Sequence, residues 1–251
     1  ETLRSLADEL RGHVMQASRC PHANHVLQKL LSLGDPEDFR FVLEELLERP
    51  GLATQAARHR YGVRIVQCVL QRFPAEDARD LADELMADAH VLAVHPLGNY
   101  AVQRLLETGM EDHRRRLIAM LIEDPARFGR MSAGCAVISA ALGRGSKAEI
   151  AALAQAIVRE HGLLLDMALA RHGSTTVLRV LEALGDEETA RARSELIEES
   201  DRLRGSRFGH AVAEYLGVGE DPGSETGYTK PPSGTFQADV ATRAPGDAKA
   251  L

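Results

Sequence analysis

A ten-residue segment recurs along this 251-residue chain at a nearly constant spacing. Its clearest copy is GNYAVQRLLE at 98–107, and weaker copies begin at His22, Tyr61, Ala133, His172 and Phe208. The position held by Gly98 recurs from residue 23 to residue 209 at steps of 39, 36, 36, 39 and 36 residues. A period of this length is typical of solenoids, in which each repeat packs only on its neighbours. The chain is therefore limited to a stack of similar units.

The third repeat indicates how each unit folds. Residues 74–90 begin with proline and several acids, which favour the start of a helix, and this helix is predicted to run through His90. A short connection then leads to a second helix, in which Val102, Leu105 and Leu106 share one apolar face. The residues Leu, Ala, Glu and Arg dominate the chain, which also favours helix. We predict an all-α, right-handed and curved α-solenoid of helix pairs.

The sequence predicts one repeat domain and a tail. The domain covers residues 1–217, and its six repeats are placed at about 1–33, 34–73, 74–109, 110–145, 146–185 and 186–217. From residue 218 to residue 251 the chain is rich in Gly, Pro, Ser and Thr and lacks an apolar period, so we expect a flexible tail. Tyr228 and Phe236 are the tail residues that could contact a partner or the last repeat.

Several classes of protein are disfavoured by the motifs that are missing. Cys20, Cys68 and Cys135 lie far apart without a paired spacing, which argues against a disulfide framework or a zinc site, and we expect no metal and no cofactor. No phosphate loop or nucleophile motif occurs, so we expect no enzyme. There is no long apolar run and no leader-like segment, so we predict no membrane contact. A cytoplasmic location is expected, with the nucleus or nucleolus as alternatives.

Three polar positions in the second helix of each repeat carry the functional prediction. In the third repeat they are Asn99, Tyr100 and Gln103. Asn99 and Gln103 are four residues apart, so they share one helix face, and both amides suit the edge of a base. Tyr100 lies about 100° round the helix and offers a flat ring beside them. Edge-reading groups beside a planar group are what the recognition of single-stranded RNA requires.

The first and second repeats carry the same set, which we call the triad. The equivalents are Asn24, His25 and Gln28, and then Val63, Arg64 and Gln67. His and Arg are also planar, so three consecutive repeats present a planar residue followed by Gln. The alternative is that these are ordinary exposed residues of a scaffold helix. Against it, Asn is unfavourable in the middle of a helix, and a bare scaffold gains nothing from it.

The segments GNYAVQRLLE, YGVRIVQCVL and ANHVLQKLL resemble the RNA-binding helix of Pumilio-type (PUF) repeats. The resemblance covers roughly residues 1–217 and implies that each repeat contacts one base of single-stranded RNA on a concave face. It further implies uracil at the first and third repeats and adenine at the second, although Val63 stands where Cys or Ser is usual. Because the family binds RNA antiparallel, the implied sequence is 5′-U-A-U-3′, read from the third repeat back to the first. The implied role is post-transcriptional regulation of mRNA.

The last three repeats depart from the family pattern. The triad positions of the fourth, fifth and sixth repeats hold Cys135, Ala136 and Ser139, then Ser174, Thr175 and Leu178, then His210, Ala211 and Glu214. Family members usually carry eight repeats, whereas six are counted here. Two alternatives therefore stay open: a divergent member with little sequence preference that serves in ribosome assembly, and a protein-interaction scaffold of the HEAT or armadillo kind. We also expect a monomer with room for protein partners on the convex face.

The distribution of charge differs from the total. The whole chain carries a formal charge of −7. The inner segments, taken as 20–33, 59–73, 95–108, 131–143, 171–184 and 206–217, hold eight basic and only three acidic residues. Six histidines near these segments add polar groups that can be partly protonated: His22, His25, His59, His95, His172 and His210. A basic face on an acidic body is typical of a surface that binds a phosphate backbone.

Overall fold

The computed structural model of the protein describes residues 2–219, including the side chains from residue 4 onward. Every regular element in this part of the chain is a helix. Residues up to Gly219 form one unit. The predicted tail lies outside the described residues from Glu220 onward, together with Tyr228 and Phe236.

Each repeat consists of an outer, a short and an inner helix, in that order. The first three repeats contain α1 (Thr2–Leu10), α2 (Val14–Ala17) and α3 (Ala23–Leu33), then α4 (Arg40–Leu46), α5 (Leu52–Ala57) and α6 (Gly62–Arg72), then α7 (Arg79–Ala87), α8 (Ala89–Leu92) and α9 (Asn99–Thr108). A 3₁₀ helix, Pro36–Phe39, precedes α4. The other repeats contain α10 (Glu111–Glu123), α11 (Pro125–Gly129) and α12 (Ser132–Leu142), then α13 (Lys147–Arg159), α14 (Leu163–Ala168) and α15 (Gly173–Ala183), then α16 (Asp186–Glu198), α17 (Ser200–Gly205) and α18 (His210–Leu216).

The prediction of one helix over residues 74–90 is wrong, because the chain breaks between the outer and the short helix. In the third repeat Asp88 leaves the helical conformation, with φ −109° and ψ 14°. Gly12, Gly51 and Gly162 mark the same break in other repeats, with φ between 73° and 85°. Such backbone is left-handed, which glycine adopts at little cost. The short helices were missed because four to six residues are too few to show a helical period.

The apolar positions of the inner helices form the centre of the stack. Val102, Leu105 and Leu106 of α9 are fully buried, and their equivalents in the neighbouring repeats are buried as well. Inner helices pack on one another in chain order, from α3 to α18. Burying a Leu or Val side chain stabilises a fold by about 1.5–3 kcal/mol. The repeated apolar triplet therefore stabilises the stack at every unit.

Two glutamates join adjacent repeats. Glu45 of α4 accepts hydrogen bonds from the backbone N–H groups of Gly12 and Val14 at 2.7 and 2.9 Å, at the start of α2. Glu84 of α7 accepts from Gly51 and Ala53 at 3.0 Å, at the start of α5. The N–H groups at a helix start have no partner within the helix, and negative charge is stabilising there. Each glutamate thus fixes the short helix of the preceding repeat.

A small residue at the start of each inner helix lets the short helix approach closely. A Cβ atom on Gly173 would lie 1.7 Å from the carbonyl oxygen of Met167, and one on Gly62 would lie 2.5 Å from that of Ala56. The same backbone approach occurs at Gly134 and Gly209. These contacts leave no room for a side chain. The crossing of the short and inner helices is therefore set by this position, which we call the crossing glycine.

Candidate functional site

The turn before each inner helix determines where the triad lies. In the third repeat His95 Nδ1 accepts hydrogen bonds from the backbone N–H groups of Leu97 and Gly98, at 3.1 and 3.0 Å. His59 makes the equivalent pair of bonds in the second repeat, and the Ser206 hydroxyl oxygen makes them in the sixth. These bonds satisfy N–H groups that an isolated helix start would leave unpaired. The first turn of the inner helix, which carries the triad, is fixed in this way.

The surroundings of two of these histidines lower the pKa of the ring. A ring nitrogen that accepts hydrogen bonds, as His95 Nδ1 does, cannot carry a proton. Burial, together with the nearby Arg58, lowers the pKa of His95 below its ordinary 6.5. Burial, together with Arg171, lowers the pKa of His172 in the same direction. Both rings are therefore harder to protonate than a free imidazole.

The triads of the first three repeats share one pattern of exposure. The first residue is buried, the second is exposed and the third is half-buried. Tyr100, for example, is 39% exposed, whereas Asn99 is only 4% exposed. The residues in the same order are Asn24, His25 and Gln28, then Val63, Arg64 and Gln67, then Asn99, Tyr100 and Gln103. The planar residue therefore faces outward beside the glutamine.

Asn99 connects the turn to the glutamine. Its Nδ2 group donates to the carbonyl oxygens of His95 and Pro96 at 2.8 and 2.9 Å, and its Oδ1 accepts from Gln103 Nε2 at 2.8 Å. Asn24 makes the equivalent contacts in the first repeat, at 2.7, 2.9 and 2.8 Å. The glutamine amide is consequently oriented, with Oε1 and one N–H left over.

The argument that a scaffold gains nothing from these asparagines is wrong. Asn99 is the first residue of α9 and Asn24 is the second of α3, so neither lies in the middle of its helix. Both side chains hydrogen-bond carbonyl groups of the preceding turn, which is a structural role. The sequence places Asn and Gln correctly on one helix face. The structure assigns the buried asparagine to positioning and leaves the glutamine amide as the accessible polar group.

The second and third triads touch each other. In the second repeat a buried valine, Val63, stands where the first and third repeats have Asn. Gln67 therefore has no asparagine partner and contacts other neighbours. Its Nε2 donates to the carbonyl oxygen of Tyr100 at 3.4 Å, and its Oε1 accepts from Arg64 Nη1 at 3.4 Å. The Arg64 guanidinium lies 5.7 Å from the centre of the Tyr100 ring. Planar groups of two adjacent repeats therefore lie close together, and Gln67 contacts both residues.

The fourth repeat uses its triad positions for packing. Cys135 is fully buried, its Sγ donates to the carbonyl oxygen of Gly129 at 3.0 Å, and burial raises its pKa to about 12. Ala136 and Ser139 are only partly exposed, and the carbonyl oxygen of Ser139 accepts from Arg179 Nη1 at 2.7 Å. This repeat offers neither a planar group nor a free amide.

The fifth and sixth repeats differ from the first three at the triad positions. In the fifth, Thr175 is exposed, while Ser174 and Leu178 are half-buried. In the sixth, all three positions are exposed: His210, Ala211 and Glu214. Neither repeat reproduces the sequence of buried, planar and amide residues seen in the first three. The structure thus separates the chain into three repeats with a triad and three without one.

Some basic residues of the inner segments bind the protein itself. Arg72 donates to the carbonyl oxygens of Leu31 and Gly34 at 3.0 and 3.1 Å, and Arg104 forms an ion pair with Glu107 at 2.8 Å. Arg179 is engaged by Ser139 as described. The charge count therefore overstates the basicity available to a ligand. It also omitted three exposed arginines in the turns, Arg19, Arg58 and Arg130, of which Arg130 forms an ion pair with Asp166 at 3.3 Å.

Two further findings concern residues 4–219. Among these residues no group of three or more His, Cys, Asp or Glu side chains is arranged to hold a metal ion. No helix in the same region is long and apolar enough to span a membrane.

Comparison with known sequences identifies the repeats. A sequence model described as the Pumilio-family RNA binding repeat matches residues 13–47, 55–86 and 89–122. The Pumilio homology domain family member 4 of Saccharomyces cerevisiae is 30% identical over 125 residues, which cover 48% of this chain and 14% of that protein. A Pumilio domain-containing protein of Schizosaccharomyces pombe is 25% identical over 122 residues, which cover 49% of this chain and 18% of that protein. The chain thus matches less than a fifth of either relative.

Comparison with solved structures identifies the fold. PUF-8 in complex with PBE-RNA aligns with a TM-score of 0.72 and 20% identity, covering 87% of this chain and 65% of that one. The Puf3 RNA binding domain, bound to a Cox17 RNA 3′ UTR recognition sequence, aligns with a TM-score of 0.71 and 16% identity, covering 83% and 59%. The predicted all-α solenoid is confirmed, and the matched family is one of RNA-binding repeats and not of enzymes. Residues 13–47, 55–86 and 89–122 therefore match the Pumilio-family RNA binding repeat, and the chain has the fold of the Pumilio solenoids.

Proposed function

We propose that the chain binds single-stranded RNA through the inner helices of its first three repeats, one base per repeat, and thereby regulates mRNA. One observation carries the proposal: the buried, planar and amide pattern occurs in the three repeats that match the Pumilio family. The descriptions of the aligned structures, PUF-8 and Puf3, name bound RNA. The first three repeats here present the side chains that such binding requires.

The oriented glutamines suit uracil. Gln28 and Gln103 each donate one N–H to an asparagine, which leaves one acceptor and one donor for a ligand. Uracil presents an N–H donor beside carbonyl acceptors on its pairing edge, so the two groups are complementary. His25 and Tyr100 then supply a stacking surface one residue away. We assign uracil to the first and third repeats on this basis.

The second repeat offers a slot for a base between Arg64 and Tyr100. A base stacked on both sides requires about 7 Å between the flanking planes, which is twice a van der Waals separation. The groups are 5.7 Å apart, so the exposed Arg64 side chain must move outward by about 1 Å. Gln67 contacts both residues and can bind the base edge. With adenine here, the expected sequence is 5′-U-A-U-3′ in the antiparallel arrangement.

Fluorescence anisotropy with labelled RNAs tests this proposal. Changing Asn99, Tyr100 and Gln103 together to alanine is expected to weaken binding to a strand that contains U-A-U. Because stacking contributes about 1–3 kcal/mol per base, Tyr100→Ala alone should cost about 5- to 150-fold in affinity. The matched control changes Ser174, Thr175 and Leu178 to alanine at the same positions of the fifth repeat, and it should bind like the parent.

The test also separates the alternatives. Replacing the central adenine by cytosine is expected to weaken binding to the parent protein. Equal affinity for both strands would instead favour a member with little sequence preference, an alternative supported by the missing triads of the last three repeats. Absence of binding to any single-stranded RNA at low salt would refute the proposal and favour a protein-interaction scaffold.

A further inference from the structure

The turns that precede the inner helices are free of acidic residues. They cover residues 19–22, 58–61, 94–97, 130–133, 169–172 and 205–208, and we call them the arginine turns. Together they hold six arginines and no Asp or Glu, although 37 of the 251 residues are acidic. The six arginines are all exposed. Positive charge is therefore concentrated along one series of turns on an otherwise acidic protein.

Three of these arginines share one position and one kind of neighbour. Arg60, Arg171 and Arg207 stand two residues before the crossing glycine, and each is followed by a ring, in Tyr61, His172 and Phe208 respectively. The Arg60 guanidinium lies 4.7 Å from the Tyr61 ring centre, and that of Arg207 lies 5.8 Å from the Phe208 ring. Within residues 4–219 none of the three arginines forms an ion pair. Their charge is thus available to a ligand, and contact with a ring limits the motion of the Arg60 and Arg207 side chains.

This position adjoins the place where a base would be read. In the first and third repeats the carbonyl group at the same position, of Pro21 and Pro96, accepts from the triad asparagine at 2.9 Å. In the second, fifth and sixth repeats the arginine stands at this same position, three residues before the first triad residue. In the fifth and sixth repeats the arginine and the ring are present although the reading residues are not. Positive charge is therefore present where the pattern of the first three repeats is absent.

We propose that Arg171 and Arg207 bind the phosphates of a single-stranded RNA that continues beyond the bases read by the first three repeats. The inference rests on the proposed function. In the fifth and sixth repeats the strand is held by its backbone alone, since guanidinium groups bind phosphate without regard to the base. The RNA segment covered by the protein is then longer than the sequence it recognises. In the antiparallel arrangement the additional nucleotides lie on the 5′ side of U-A-U.

The experiment compares labelled RNAs that differ on the 5′ side of U-A-U. A three-nucleotide extension of any sequence should raise affinity, and an extension of abasic units should raise it equally, because the phosphates remain. Neutral methylphosphonate linkages in the extension should abolish the gain. Each phosphate contact to a single strand contributes about 0.7 to the slope of log K against log salt. The double variant Arg171→Ala with Arg207→Ala should therefore lower the magnitude of that slope by about 1.4. Between 50 and 200 mM salt, the factor by which its affinity falls should then be about seven times smaller than for the parent.

The control removes the same charge from the same repeats. Arg159 and Arg191 are exposed on the outer helices α13 and α16, and changing both to alanine should leave the slope unchanged. Changing Arg171 and Arg207 to lysine should retain the slope, because lysine keeps the positive charge. If the alanine pair acted through misfolding or lost ring contacts, the lysine pair would lower the slope as well. If the alanine pair binds the extended RNA with the parent slope, the inference is wrong even though the triad variants weaken binding. If the parent binds no RNA, the proposed function fails first.

Discussion

Removing the Asn99 side chain tests the link between the turn and the triad. Asn99→Ala deletes two hydrogen bonds to carbonyl groups, at 2.8 and 2.9 Å, and one from Gln103, at 2.8 Å. Each bond contributes about 0.5–1.5 kcal/mol, and the higher helix propensity of alanine offsets less than about 1 kcal/mol. We expect the free energy of unfolding to fall by about 2–3 kcal/mol. For a domain of this size that corresponds to a fall in Tm of roughly 5–10 °C.

Urea unfolding followed by circular dichroism measures this change. Gln103→Ala removes only one of the three bonds and should cost about 1 kcal/mol. The double variant should cost less than the sum of the two, because both single variants break the same bond. Tyr100→Ala, on the same helix turn but exposed, should stay within about 0.5 kcal/mol of the parent and serves as the control. If Asn99→Ala lowers the free energy of unfolding no more than Gln103→Ala does, the positioning role of Asn99 is refuted.

Three further predictions concern other parts of the repeat. Because the pKa of His95 is lowered in the folded protein, its contribution to stability is fully present above pH 6.5 and is lost as the pH falls toward the lowered value; urea titrations from pH 8 to pH 5 should show this loss, and a flat profile would contradict it. Gly173→Ala should destabilise by more than about 3 kcal/mol, since its Cβ meets a backbone oxygen, whereas Gly185→Ala, with open space around it, should change thermal unfolding little. Mass spectrometry after brief alkylation should find Cys20 modified and Cys135 protected, because backbone N–H groups lower the pKa of Cys20 while burial raises that of Cys135 to about 12; equal modification would contradict this.

The fold could be predicted from the sequence where a pattern repeats often enough. The spacing of the segments and the apolar triplet of Val102, Leu105 and Leu106 identify the inner helices and their buried face, and both were predicted. The break at Asp88 was not, since a short helix after a break has no period of its own. The same limit applies to the turns, whose geometry depends on individual hydrogen bonds such as those to His95.

The site was predictable in position but not in the role of each side chain. Asn99 and Gln103 were placed on one helix face by their spacing alone. Whether an asparagine faces a ligand or the preceding turn depends on where the carbonyl groups of that turn lie, which spacing does not reveal. For the same reason Arg72 and Arg179 counted as free charge, although each donates to backbone carbonyl groups of the adjacent repeat.

The crossing glycine has a consequence for how such a chain can change over time. Gly62, Gly134, Gly173 and Gly209 set the path of the backbone through contacts that involve none of the triad side chains. A repeat with other residues at its triad positions therefore still stacks correctly, as the fourth to sixth repeats do. Under the proposed function, a few surface substitutions would give such a repeat a base preference without disturbing the stack. Stacking and base recognition would then change independently within one 36- to 39-residue unit.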